Sequence, residues 1–248
     1  MLQREEWFNC VLAALQKAQP DEPGALDLAS YYYTADSRLR PLVDKLKQLK
    51  QTKRLSLSKR QEAGKLMEQI VYLVFAGLSG VTSIKGFQSS GPQYDLLVSG
   101  DDVSWLWLCK LLYLAEQQRG FLIEAKAITN RLPDKEFARL CAIMQTNLST
   151  AGLGIFFTVH GASGFPEGRV RQRAIRDCRL RQVLFHCRYN KAVIVLDIKD
   201  IERLCSNGTL VALLVRKIRD ISELTGLDLG AADAPLEVDL PPHLQRLR

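Results

Sequence analysis

Residues 121–128 read FLIEAKAI, an apolar stretch that carries a carboxylate and an ammonium two positions apart. On an extended chain, residues two apart project from one face. Glu124 and Lys126 therefore share a face with Leu122 and Ile128, while Phe121, Ile123, Ala125 and Ala127 take the other. One strand upstream, YDLLVS at 94–99 places Asp95 near its start. If those strands pair, Asp95 and Glu124 come within reach of one cation. Two carboxylates with the backbone carbonyl of Ala125 make a hard oxygen site suited to Mg2+. Such an ion holds a phosphate oxygen and acidifies a bound water. Lys126 then orients or deprotonates that water and offsets the negative charge growing on phosphorus. Glu68, on the preceding helix, is a further acid able to reach the ion directly or through water.

The elements that must position these groups follow from periodicity. SLSKRQEAGKLMEQIVYLVFAGL begins at Ser56, which can cap a helix, and repeats Leu66, Ile70, Leu73 and Val74 at helical spacing. Two short strands follow, SIKGFQ and YDLLVS, separated by the turn composition SSGP. DDVSWLWLCKLLYLAEQQRG reads as an inserted helix, apolar around most of its girth. After the 121–128 strand come a helix from about Pro133 to Leu148, the strand GIFFTV, a basic helix at 166–187, the buried strand AVIVLDI and a closing helix, TLVALLVRKIRDISEL. Strands followed by βαβ alternation predict an α/β fold with a mixed central sheet flanked by helices. Strand order is not contained in this pattern.

Composition narrows the partners. The chain has 248 residues, 34 Lys and Arg against 27 Asp and Glu, a formal charge of +7 and a pI near 9.1. That balance suits an anionic partner. Residues 38–60 concentrate positive charge, and Arg169, Arg173 and Arg176 share a face of the 167–187 helix. Together with Arg131, Lys135 and Arg139, just past the Glu-x-Lys strand, they are candidates for phosphate contacts to DNA. The six cysteines form no CxxC pair and the three histidines no HxxxH spacing, so the chain reads as reduced, cytoplasmic and without a structural zinc. The run WLWLCKLLYLA is too short to span a bilayer. An all-round apolar helix at 103–118 must be covered either by the fold or by a partner, and a homo-oligomer through it is expected.

Three features are decoys. Asp197-Ile198-Lys199 repeats the acid-x-Lys spacing, but its acids are placed to begin a helix. Ser163 in HGASGF lacks the closing glycine of a nucleophile elbow, because Phe165 stands there. YYYT at 31–34 reads as packing before base stacking.

Asp95, the Glu124-Ala125-Lys126 triplet in an apolar strand and the Glu68-bearing helix resemble the PD-(D/E)xK nuclease superfamily. The likeness is nearest to the Mrr-like restriction endonuclease group, through QYDLLV, IEAK and GIFFT, and covers roughly residues 57–220. It implies a restriction-endonuclease-like domain at 56–228, with a basic helical extension at 1–55 and a tail at 229–248. It further implies Mg2+-dependent hydrolysis of DNA phosphodiesters to 5′-phosphate and 3′-hydroxyl ends, with Mn2+ substituting. Asp95, Glu124 and the Ala125 carbonyl would be ligands, Lys126 the water-positioning base and Glu68 an auxiliary acid. The setting it suggests is prokaryotic restriction or defence, with a defence-system protein as a partner; a repair or recombination nuclease and a non-cleaving nucleic-acid binder are the alternatives. Two departures are visible: Pro92 stands three residues before Asp95 instead of adjacent to it, and a helix is inserted between the acidic strands.

Overall fold

A computed structural model describes residues 29–50, 56–87, 94–127, 130–165 and 176–225. The start of the 1–55 extension, the SSGP turn, Arg169, Arg173 and the C-terminal tail lie outside the described residues.

Five strands form one sheet in the order β1-β2-β3-β4-β5: Ser83–Phe87, Tyr94–Ser99, Gly120–Lys126, Ala151–Thr158 and Ala192–Leu196. β1, β2 and β3 pair antiparallel, whereas β3, β4 and β5 pair parallel, so the sheet is mixed. Strand order thus follows chain order. The two parallel pairs need long crossovers, which α4 (Asp134–Thr146) and α5 (Asp177–Tyr189) supply.

Alternation along the strands separates two cores. Phe121 and Ile123 of β3, Ile155 and Phe157 of β4, and Ile194 of β5 face one side. There they meet α1 (Leu39–Lys50), α2 (Leu57–Ala76), α3 (Val103–Leu111), α6 (Ile198–Arg203) and α7 (Thr209–Thr225). Leu122, Phe156, Val193 and Val195 face the other side, with Phe137, Leu140 and Met144 of α4 and Phe185 of α5. On that second face Gly154 lets α4 approach: a Cβ there would lie 2.7 Å from Met144 Sδ and 3.2 Å from Leu140 Cδ2.

Several expectations are met at this level. Ser56 caps α2 by accepting from the Lys59 N–H. Asp197 caps α6 within a reciprocal capping box with Asp200, so the second acid-x-Lys triplet is a helix start. Tyr32 and Tyr33 are buried, and the Tyr33 hydroxyl donates to the Leu204 carbonyl at 2.6 Å. The five cysteines among the described residues are free thiols. Among those residues no helix is long and apolar enough to cross a membrane.

Other expectations need correction. The described part of the 1–55 segment is not a separate unit: Leu39, Val43 and Leu46 are buried in the core that α2 and the sheet share. The inserted helix is shorter than 103–118, and Trp105, Leu108, Cys109 and Leu111 are covered by the chain itself. The fold thus covers one side of this helix, while Val103 stays 58% exposed and Leu106 and Trp107 are only partly buried. The described basic helix begins at Asp177, with Arg176 as its extended N-cap instead of a residue within it.

Candidate active site

β2 and β3 pair at Leu96–Ile123, Leu97–Leu122 and Val98–Phe121. Continuing that register by one position sets Asp95 opposite Glu124, but the ladder ends first. On its other edge β2 carries a bulge, because Gly86 pairs with Leu96 while Phe87 pairs with Tyr94. Asp95 is the extra residue. Bulges bend the strand and re-aim a side chain; here Leu96 packs in the first core and Tyr94 in the second, against simple alternation.

The re-aimed Asp95 carboxylate crosses to β3 and accepts a short hydrogen bond from the Ala125 N–H through Oδ2. A side chain thus replaces the ladder bond that β2 no longer makes. In an extended strand the N–H and C=O of one residue point to the same edge. The Ala125 carbonyl is therefore directed into the fork between the two strands. Asp95 and Ala125, with Glu68 and Val71 of α2, line a cleft of about 470 Å³.

Glu124 is only 2% exposed. Its Oε1 accepts from Lys126 Nζ at 2.7 Å and from Arg139 Nη2 at 2.5 Å. Its Oε2 is buried and accepts nothing. Glu136 of α4 stands behind this pair, 3.4 Å from Arg139 Nε and 3.7 Å from Lys126 Nζ.

Burial raises the Asp95 carboxyl above its ordinary range, against the opposing Ala125 hydrogen bond and the charge of Lys126; Glu68 adds to the rise. Burial also raises Glu124, with Lys126 pulling it down and Asp95 pushing it further up. The local cations thus fail to compensate the desolvated anions. Four carboxylates (Glu68, Asp95, Glu124 and Glu136) and two cations (Lys126 and Arg139) stand in this neighbourhood.

These residues fit a divalent ion. A buried carboxylate oxygen without a hydrogen-bond partner costs roughly 1–3 kcal/mol or more, and coordination relieves it. Asp95, Glu124 and the Ala125 carbonyl are hard oxygen donors, and Mg2+ commonly takes one or two carboxylates and keeps waters. Among the described residues no group of three or more His, Cys, Asp or Glu side chains is gathered to hold a metal ion. Glu68 lines the cleft with Asp95 and Ala125.

The remaining predicted residues divide. Arg139, expected on a phosphate-facing surface, instead grips Glu124 inside the site. Arg131 Nη1 donates to the Phe165 carbonyl at 3.4 Å. Lys135 is exposed on α4. Arg176 is exposed beside Asp177, at 3.8 Å. Ser163 Oγ lies 3.3 Å from Cys178 Sγ. Glu136 was missed; its signal was the i,i+3 pairing with Arg139 on the helix entering after the Glu-x-Lys strand.

Nothing matches. Comparisons of the chain with family models, with curated proteins and with solved structures return no similar protein.

Proposed function

We propose that the chain is a Mg2+-dependent endonuclease of restriction-endonuclease-like fold that hydrolyses DNA phosphodiester bonds. The observation that carries this reading is the Asp95–Glu124 fork. The strands stop pairing where the half-buried Asp95 carboxylate takes the Ala125 N–H, near enough to the buried Glu124 to push its carboxyl up, and one Glu124 oxygen has no hydrogen-bond partner.

Each side chain has a defined part. Asp95 and Glu124 would hold the ion with the Ala125 carbonyl, and Glu68 would act through water. A divalent ion bound there supplies Lewis acidity toward the phosphate and a more acidic water. Lys126 carries three N–H donors; Glu124 takes one at 2.7 Å, and the others can orient a water or meet a phosphate oxygen. Arg139 is a positioning residue: by binding Oε1 it fixes the Glu124 rotamer and leaves Oε2 for the ion. A prokaryotic restriction or defence setting, and a partner from such a system, rest on the family resemblance.

A second reading follows from the same salt bridges. If Lys126 and Arg139 only neutralise Glu124, the chain is a non-cleaving nucleic-acid binder. Plasmid nicking with Mg2+ and with EDTA, measured beside DNA binding, separates the two. Wild type should nick only with Mg2+. Asp95→Ala and Lys126→Ala should bind DNA and not cut it; if either cuts as well as wild type, the site is misassigned.

A further inference from the structure

The catalytic cleft does not end at Glu68. Glu68 and Leu96 line both that cleft and an adjoining groove of about 830 Å³ between the start of α1 and the outer face of α2. Pro41, Leu42 and Leu73 give the groove an aliphatic lining. Tyr72 stands in its wall and is 52% exposed, which is unusual for so large a side chain on a helix that packs its other faces into the core. Lys65 lies two helical turns before Tyr72, on the same face, about 10 Å along the axis. Arg38 enters from the opposite wall, its guanidinium fixed by Asp36 through bonds of 2.9 and 2.7 Å. A pair between Lys45 and Glu62 at 2.8 Å links α1 to α2.

Taken together these are an aromatic face, an apolar lining, an amide (Gln69) able to bond a base edge, and a cation on each wall. We propose that this groove is a subsite for an unpaired base of DNA, stacked on Tyr72, its neighbouring phosphates met by Arg38 and Lys65. A base within a duplex has both faces covered by its neighbours, so an aromatic side chain can stack only on one that is single-stranded or extruded. Continuity with the Asp95 cleft puts that base beside the scissile phosphate. The proposal deepens the nuclease reading by naming its substrate class: strands with an unpaired nucleotide at the cutting position.

Binding measured in EDTA separates the subsite from the chemistry. The probe is a short oligodeoxynucleotide carrying 2-aminopurine, single-stranded or annealed, added to the full chain. The single strand should bind more tightly than the duplex and lose 2-aminopurine emission. Tyr72→Ala should weaken single-strand binding by about fivefold to a hundredfold, leave duplex binding unchanged and restore the emission. Tyr72→Phe should retain most of the affinity, and circular dichroism checks that both variants are folded. Lys65→Ala should reduce the salt slope by about 0.7. Equal losses for single strand and duplex, or no loss in Tyr72→Ala, overturn the subsite. Tighter binding of the matching oligoribonucleotide overturns the assignment to DNA. Tyr72-dependent binding without Mg2+-dependent cutting keeps the subsite and removes the nuclease reading; cutting indifferent to Tyr72 does the reverse.

Discussion

Adding Mg2+ should stabilise the protein, and Glu124→Gln should abolish that effect without lowering the metal-free melting temperature. Glu124 keeps a buried carboxylate oxygen with no hydrogen-bond partner, and burial raises its carboxyl. Ions bound to the folded state alone stabilise it by RT ln(1 + [L]/Kd). For a two-carboxylate site with Kd on the order of 1 mM, about 10 mM Mg2+ gives about 1.4 kcal/mol. In a chain of this size that raises the midpoint by about 3–6 °C. Gln keeps the shape and an acceptor for Lys126 and Arg139 but removes the charge the ion needs.

The metal-free comparison follows from linkage. The folded state raises the Glu124 carboxyl, so its ionised form is disfavoured relative to the unfolded chain. That cost is present at neutral pH and disappears as pH falls through the raised folded value toward the unfolded one. A neutral Gln escapes it, and Lys126 and Arg139, 27% and 33% exposed, regain water. Because protons compete with the ion, the Mg2+ increment should also shrink as pH falls. Differential scanning fluorimetry with and without Mg2+, at matched ionic strength, measures both effects. Equal Mg2+ increments in wild type and Glu124→Gln would refute the site. A metal-free loss of about 3–5 kcal/mol would instead mark Glu124 as one half of a buried ion pair.

Three further outcomes test the frame around the site. Asp95→Asn should melt close to wild type, since its amide oxygen still accepts from Ala125, whereas Asp95→Ala orphans that N–H at a cost of about 1–3 kcal/mol; chemical denaturation distinguishes them, and equal midpoints would deny the bond. Gly154→Ala should cost about 1–3 kcal/mol by forcing α4 away from β4, read as a lower melting temperature, and on the proposed function it should slow cleavage by shifting Arg139. Burial lowers the His186 imidazole below its ordinary value, so its contribution to stability is complete above about pH 6.5 and is lost as pH falls toward the folded value. Urea midpoints should therefore fall less steeply on acidification in His186→Gln than in wild type.

Most of the sheet was legible because its strands alternate or are continuously apolar over short lengths. Both faces of 121–127 were assigned correctly: Phe121 and Ile123 pack in one core, and Leu122 in the other. Strand order was not legible, since pairing joins residues far apart and depends on which faces the helices cover. The covering of Trp105 was ambiguous for the same reason, because an apolar helix reads alike whether its own sheet or another chain buries it. The start of the basic helix was missed because arginines run through Arg176 without a change in composition, while the backbone turns at Asp177 with φ 50°. Arg139 was read as surface charge, since spacing alone cannot say that α4 crosses the polar end of β3.

The Asp95 position shows why a short motif acquires meaning only in three dimensions. A Glu-x-Lys strand paired along its whole length would be an ordinary salt-bridged strand, its backbone closed by its neighbour. Here the bulge takes β2 out of register at one residue, the ladder stops at Leu96–Ile123, and the freed N–H of Ala125 is recaptured by a carboxylate instead of a carbonyl. The same irregularity that costs a ladder bond brings a second acid beside Glu124 and opens the cleft toward Glu68. Structure and chemistry are therefore coupled through one side chain. On the proposed function, the acid that would bind an ion is also the one that closes the strand, so its geometry is set before any ligand arrives.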